Sequence, residues 1–322
     1  MPETEPSIKP DEKETQGLNL AQEIVALKRT ARTEEDYAAI LQKIHSLKQL
    51  FRIVPAEGEV SEKMVEAKRI FGADFIGPEE INLAFNGAVE IKDIPAIPFP
   101  IEELKRAKEL GQMLILRVDQ AVDGMPLTMQ KIGDILEEKT KDGGKVLYNT
   151  DWYKDEDFFT ETIESGWALV SKELVPESTS KNYLEQTQRL IDYFKTEVLE
   201  GGPFSPEYAE AIAEFNREKA GIDAIVESSD EFEWKRASEI LSNLKITQLL
   251  RQSPVESLYD LIVYFQVNGT RLLPNQYSWT SRRDSVGDLV GVGYFGSDGV
   301  GVDDALPGSS NGDLGVSFSR SR

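Results

Sequence analysis

An α+β architecture is predicted for this chain: an N-terminal helical module followed by a mixed domain of short strands and long loops. Three observations carry the prediction. Residues 18–87 place apolar side chains at helical spacing between capping signals. The run Ile94-Pro95-Ala96-Ile97-Pro98-Phe99-Pro100 cannot be helical, since proline lacks the amide donor and biases the preceding residue toward extended backbone. From residue 281 onward, apolar residues recur with a period of two among Gly, Ser and Asp, the spacing of short packed strands.

Residues 1–17, MPETEPSIKPDEKETQG, hold too little apolar surface to offset ordering entropy, so a disordered tail is expected. Leu20, Ile24 and Leu27 stripe a helix from Leu18 to Ala31. Thr33 and the acidic run Glu34-Glu35-Asp36 open a second, to about Phe51, and the two read as a hairpin. Ser61 caps a third helix that stops at Gly72, and Gly77-Pro78-Glu79-Glu80 opens a fourth that stops near Gly87. These boundaries give a separable helical module at 18–94 and a mixed domain at 95–322.

In the mixed domain, Ile101 to Leu110 reads as a helix and Met113 to Val118 as a buried strand. Thr128 starts a helix to about Lys139, and Gly143-Gly144 turns the chain into Lys145–Tyr148. Gly166 to Val170 is a second strand. Long helices follow at about 180–199, 206–226 and 231–241, and another runs from Pro254 to near Gly269. In the tail, Val290, Val292 and Tyr294, then Val300 and Val302, then Leu314, Val316 and Phe318 alternate as strands. Trp279, Val292, Phe295, Val302, Leu314 and Phe318 are its expected core.

Charge and composition exclude several functions. A formal net charge of -21 repels phosphate backbones and anionic lipid surfaces, so no nucleic-acid partner is expected. No apolar stretch is long enough to insert in a membrane, and the acidic N-terminus is unlike a secretion signal, which points to the cytoplasm. The absence of cysteine removes thiolate catalysis, disulfides and Cys-type zinc sites. His45, the one histidine, sits beside Leu41 and Leu47 on an amphipathic helix and reads as a surface residue rather than a base or ligand. Asp298, Asp303, Asp304 and Asp313 offer oxygen ligands but match no calcium loop, so no metal is expected. Gly291-x-Gly293-x-x-Gly296 has the letters of a dinucleotide fingerprint without the helix that must follow it. No cofactor and no catalytic residue are expected.

Residues 281–322 contain no Lys, Glu, Gln, Met or Trp. Those types make up about a fifth of average usage, so chance absence is about a one in ten thousand event. The pattern Trp279-Thr280-Ser281, Val290-x-Val292-Gly293-x-Phe295, Gly299-Val300, Pro307 and Leu314-Gly315-Val316-x-Phe318-Ser319 resembles the variable region of a diversity-generating retroelement target protein. Upstream, Gly269-Thr270-Arg271-Leu272-Leu273-Pro274 loosely echoes that family's Gly-x-Arg-Leu-Pro run. The resemblance implies a C-type-lectin-like fold of the formylglycine-generating-enzyme type, with its variable region at 279–322. In that family a reverse transcriptase randomises adenines, mostly in Asn codons, and such codons cannot yield the five missing types.

By that resemblance the chain is a non-enzymatic binding protein for an unknown protein or other macromolecule. Its displayed positions would be Ser281, Arg282, Arg283, Asp284, Ser285, Gly287, Tyr294, Gly296, Ser297, Asp298, Asp303, Asp304, Ala305, Leu306, Gly308, Ser309, Ser310, Asn311 and Asp313. Arg282, Arg283 and Tyr294, the large side chains among them, are expected to dominate recognition. The N-terminal helices would contact a partner or oligomer. A viral or cell-surface attachment component would use the same display domain. Formylglycine-type oxidation is the enzymatic alternative, and it needs active-site cysteines that this chain lacks.

Overall fold

The computed structural model describes residues 62–137 and 140–321, together with Asn19 and Glu23, both helical. The expected tail at 1–17, the rest of the 18–51 hairpin, His45 and the Ser61 cap lie outside the described residues. The chain divides into two compact units, Met1–Glu59 and Val60–Arg322. The second is a mixed α+β unit with two small sheets.

The first sheet has the order β1-β2-β3-β8, formed by Phe75–Ile76, Gln112–Arg117, Gly166–Ser171 and Ser319–Ser321. Strand β1 runs parallel to β2, and β3 is antiparallel to both β2 and β8. All of β2 is buried, as its unbroken apolar run requires of a strand covered on both faces. Helix α1 (Glu62–Phe71), α2 (Pro78–Ala84) and α3 (Ile101–Glu109) pack around this sheet.

This arrangement corrects the boundary expected at 94/95. Phe71, Phe75, Ile76, Ile81 and Phe85 belong to the same apolar core as Leu114, Trp167 and Ile262. The proline run is no free linker, because Trp167 Nε1–H donates to the Pro95 carbonyl at 2.8 Å and Lys63 Nζ donates to that of Ile97 at 2.7 Å. Residues 62–94 are therefore part of the mixed unit.

Next come α4 (Met129–Ile135), α5 (Asp157–Thr160), α6 (Tyr183–Tyr193) with a π-helical turn at Phe194–Val198, α7 (Pro206–Asp223), α8 (Glu231–Asn243), α9 (Lys245–Leu250) and α10 (Pro254–Asn268). Thr128 caps α4, its hydroxyl accepting from the Lys131 amide at 3.1 Å, and Gly269 ends α10 at φ 74°, as their sequence signals predict. Helix α10 is buried nearly all round, its apolar faces interrupted by Glu256 and Asp260, and sits between the sheets; Phe265 meets Phe295 edge-on at 5.3 Å.

The second sheet has the order β6-β5-β4-β7, formed by Gly299–Ala305, Leu289–Gly296, Tyr277–Arg283 and Leu314–Gly315. Its Val290, Val292, Val300 and Val302 join the core around α10. Its Trp279, Leu289 and Leu314 join a second core under α6–α9, with Phe318 between Tyr193 and Phe194. The expected tail core is buried: Trp279, Val292, Phe295, Val302, Leu314 and Phe318 are all at most 6% exposed. The last strand, β8, leaves this sheet to close the first one, so the tail is stitched into both.

Candidate binding surface

The pairing register sets out one face of the second sheet. Tyr277 pairs with Gly293, and Gly293 with Gly301, so the three lie in one row across β4, β5 and β6. One row on, Trp279, Gly291 and Asp303 align on the same face. Helices cover the Trp279 end, and the Tyr277 end carries glycines where a side chain would obstruct. A Cβ on Gly293 would lie 2.1 Å from the Gln276 carbonyl oxygen, and one on Gly301 would lie 2.8 Å from Tyr277 Oη. Gly293 thus admits the close approach of the Gln276–Tyr277 backbone, and Gly301 makes room for the Tyr277 ring.

A second tyrosine reaches this face through an irregular backbone. Strict alternation would send Tyr294 inward with Val290 and Val292. Instead Tyr294 takes φ 46° at a register shift between Gly293 and Gly296, and Phe295 fills the inward position. Left-handed backbone costs a non-glycine residue about 1 kcal/mol or more. Tyr294 is 42% exposed, its ring centroid 4.9 Å from that of Tyr277, and its hydroxyl donates to Asp313 Oδ2 at 3.5 Å.

Tyr148 joins from far along the chain. Leu147 forms a parallel bridge with Val300, which sets Tyr148 beside Gly301 on the tyrosine face, and the Tyr148 amide donates to the Val300 carbonyl at 3.0 Å. It is 52% exposed. The Tyr277 hydroxyl is pushed up to about 12 by burial first, then by Asp303, Tyr294, Asp313 and Tyr148. Tyr277 is accordingly a neutral phenol in a negative surrounding.

The expected display positions divide between two ends of the β4–β5 hairpin. Tyr294, Asp303 and Asp313 meet at the tyrosine end, with Gly296, Ser297 and Asp298 in the adjoining β5–β6 turn. Arg282 and Arg283 sit at the other end, where Arg283 pairs with Leu289, roughly 13 Å of strand away. Arg282 is also partnered from within: its Nε donates to Glu161 Oε2 at 2.9 Å and its Nη1 to Gln248 Oε1 at 2.8 Å. Burial opposes its charge, but Glu161 outweighs it and raises its pKa. Ser285 donates to Glu156 through both its amide and its hydroxyl, each at 2.7 Å. Ser310 and Asn311 are exposed and Gly308 and Ser309 half-buried in the loop before β7, which is pinned by the Tyr183 amide on the Pro307 carbonyl at 3.0 Å.

Three expected display residues are corrected outright, because Ser281, Asp284 and Gly287 are buried. Asp284 builds the β4–β5 turn: its Oδ1 accepts from the amides of Val286, Gly287 and Asp288 at 3.0, 2.7 and 2.8 Å. The acidic grouping also differs from the expected one. Among the described residues, the carboxylates close enough to share an ion are Asp284, Asp288 and Asp304, so of the expected acidic residues only Asp304 belongs to that group.

Close carboxylates repel, and Asp304 records it. Burial first, then Asp284, Asp288 and Asp303, push its carboxyl up to about 6. A folded-state pKa above the ordinary value means the stability contribution is complete below about 4 and is lost as pH rises through about 6. Asp304→Asn should therefore flatten the fall in melting temperature between pH 5 and pH 7.5. Its gain at pH 7.5 should be about 1 kcal/mol once solvent screening of this exposed group is allowed for. An unchanged pH slope in the variant would place the repulsion elsewhere.

Sequence reasoning missed Tyr277 and Tyr148, which lie outside the restricted-alphabet segment. One signal was present: glycines at alternating positions, 291 and 293, then 299 and 301, leave room for rings from neighbouring strands. Compared with known proteins, the chain matches no family model, no curated protein and no solved structure.

Proposed function

We propose that the protein is a non-enzymatic ligand-binding protein that displays a diversified surface on a C-type-lectin-like scaffold, as retroelement target proteins do. One observation carries the reading: across Trp279 and the restricted-alphabet tail that follows it, the frame is buried while the display positions other than Ser281, Asp284 and Gly287 are exposed or half-exposed. Trp279, Val292, Phe295, Leu314 and Phe318 are buried, whereas Tyr294, Ser297, Asp298, Asp303, Leu306, Ser310 and Asn311 are exposed. Display residues can then vary at little cost to stability, since exposed substitutions usually shift it by within about 0.5 kcal/mol. Strands and pinned turns hold the display residues, which limits the entropy lost on binding.

The binding centre in this reading is the tyrosine end, where Tyr294 and its neighbours are exposed; Arg282 is committed to Glu161 and serves the frame. The test is the DNA around the gene. A near-copy of the tail's coding sequence, differing only where the copy has adenine, and sister sequences that vary at 294, 298 and 303 but not at 279, 295 and 318, are the expected result. Uniform sister sequences and no such copy would sink the diversification reading.

A further inference from the structure

Resting on that reading of the tyrosine end as the binding centre, we infer that the surface made by Tyr277, Tyr294 and Tyr148 with Asp303 and Asp313 takes a lysine or arginine side chain of a protein partner. The rings and the carboxylates belong to one face. The Tyr277 ring lies against Gly301, and the Tyr294 ring packs on it at 37°. Tyr148 stands beside Gly301, and Asp303 follows two positions along β6 on the same side. Asp313 holds the Tyr294 hydroxyl and, through its carbonyl, the Tyr277 amide at 2.8 Å.

Charge complementarity selects the occupant. Aromatic faces attract cations, most strongly where water is partly excluded, and carboxylates at the rim add direct attraction. An anionic or purely apolar partner would have to leave Asp303 and Asp313 facing it uncompensated. The chain's net charge of -21 draws the same class of partner from a distance. A macromolecular side chain fits better than a free amine, because the platform is an open face with rings on two sides rather than an enclosed cage, and much of the affinity must come from flanking contacts.

Hexalysine is the probe, titrated calorimetrically into the full chain at low salt. Tyr294→Asn removes a ring without changing charge, and asparagine accepts the left-handed backbone that this position needs. It should weaken hexalysine binding by about tenfold. Asp303→Asn with Asp313→Asn should weaken it at least as much. Glu102→Gln with Glu109→Gln removes two exposed charges from α3, beside the other sheet, and should change affinity by less than about twofold. If the two charge variants lose affinity equally and Tyr294→Asn loses none, attraction is diffuse and the inference is overturned. Tighter binding of n-butylammonium than of hexalysine would overturn it too, making the occupant a free amine. These outcomes do not depend on the genomic test: a tail with no template copy could still bind hexalysine here. A diversified tail could equally bind its cognate ligand at Tyr294 with no preference for cations.

Discussion

A chain beginning at Ile97 should fail to fold, while one beginning at Val60 should keep a cooperative thermal transition. The Ile97 chain loses Phe71, Phe75, Ile76, Ile81 and Phe85, all buried in the core that also holds β2, β3 and α10. At roughly 1.5–3 kcal/mol for each buried side chain, the loss is about 10 kcal/mol, comparable with the whole stability of a typical domain. The deletion also strips β1 from β2, opening the edge of a fully buried strand to aggregation. Polar partners go with it: Asp74 accepts from Lys108 at 2.7 Å, from Lys172 at 2.9 Å and from the Tyr264 hydroxyl at 2.9 Å. Expression, solubility and a melting curve for both chains decide the matter. A soluble, cooperatively melting Ile97 chain would show that residues 62–94 are dispensable after all.

That boundary was misread for a physical reason. Phe75–Ile76 is a two-residue strand between a 3₁₀ turn and a proline-capped helix, too short to show any period. Its strand character comes from β2, which lies far along the chain. The same holds for β8, whose Ser-Arg-Ser sequence has no strand propensity and pairs because Val170 and Ala168 of β3 present an open edge. Elements whose signals are local were legible: the apolar run of β2, the cap at Thr128, the proline and glycine that bound α10, and the alternating valines of β5 and β6. The candidate surface was half legible. Tyr294 stood out as a large side chain in a small-residue segment, but its neighbours Tyr277 and Tyr148 come from pairing. Arg282 looked equally prominent, and only the fold reveals that Glu161 holds it.

Asp260→Ala should cost about 3–5 kcal/mol, because it leaves a guanidinium in the interior without its main counter-charge. Arg117 and Asp260 are each about 2% exposed, and the carboxylate accepts from Arg117 Nε at 3.2 Å and Nη2 at 2.6 Å. Burial works against the Arg117 charge, but Asp260 and Glu256 outweigh it and hold its pKa above the ordinary value. Burial also raises the Asp260 carboxyl, only partly offset by Arg117. The pair is thus a matched set whose members are costly alone. Arg117→Met combined with Asp260→Leu should recover much of the loss, since apolar replacements of a buried ion pair are often neutral. Gln252, whose side chain donates to Asp260 at 2.7 Å, loses its acceptor in both variants, so recovery should stop short of complete. The consequence reaches the C-terminal tail, because Arg117 Nη2 also donates to Ser319 Oγ at 3.3 Å, tying β8 to β2 and α10. Amide exchange at Ser319 and Arg320 should accelerate in Asp260→Ala by more than global destabilisation explains. A cost below about 1 kcal/mol by urea denaturation, with β8 exchange unchanged, would mean that the tail is held by apolar packing alone.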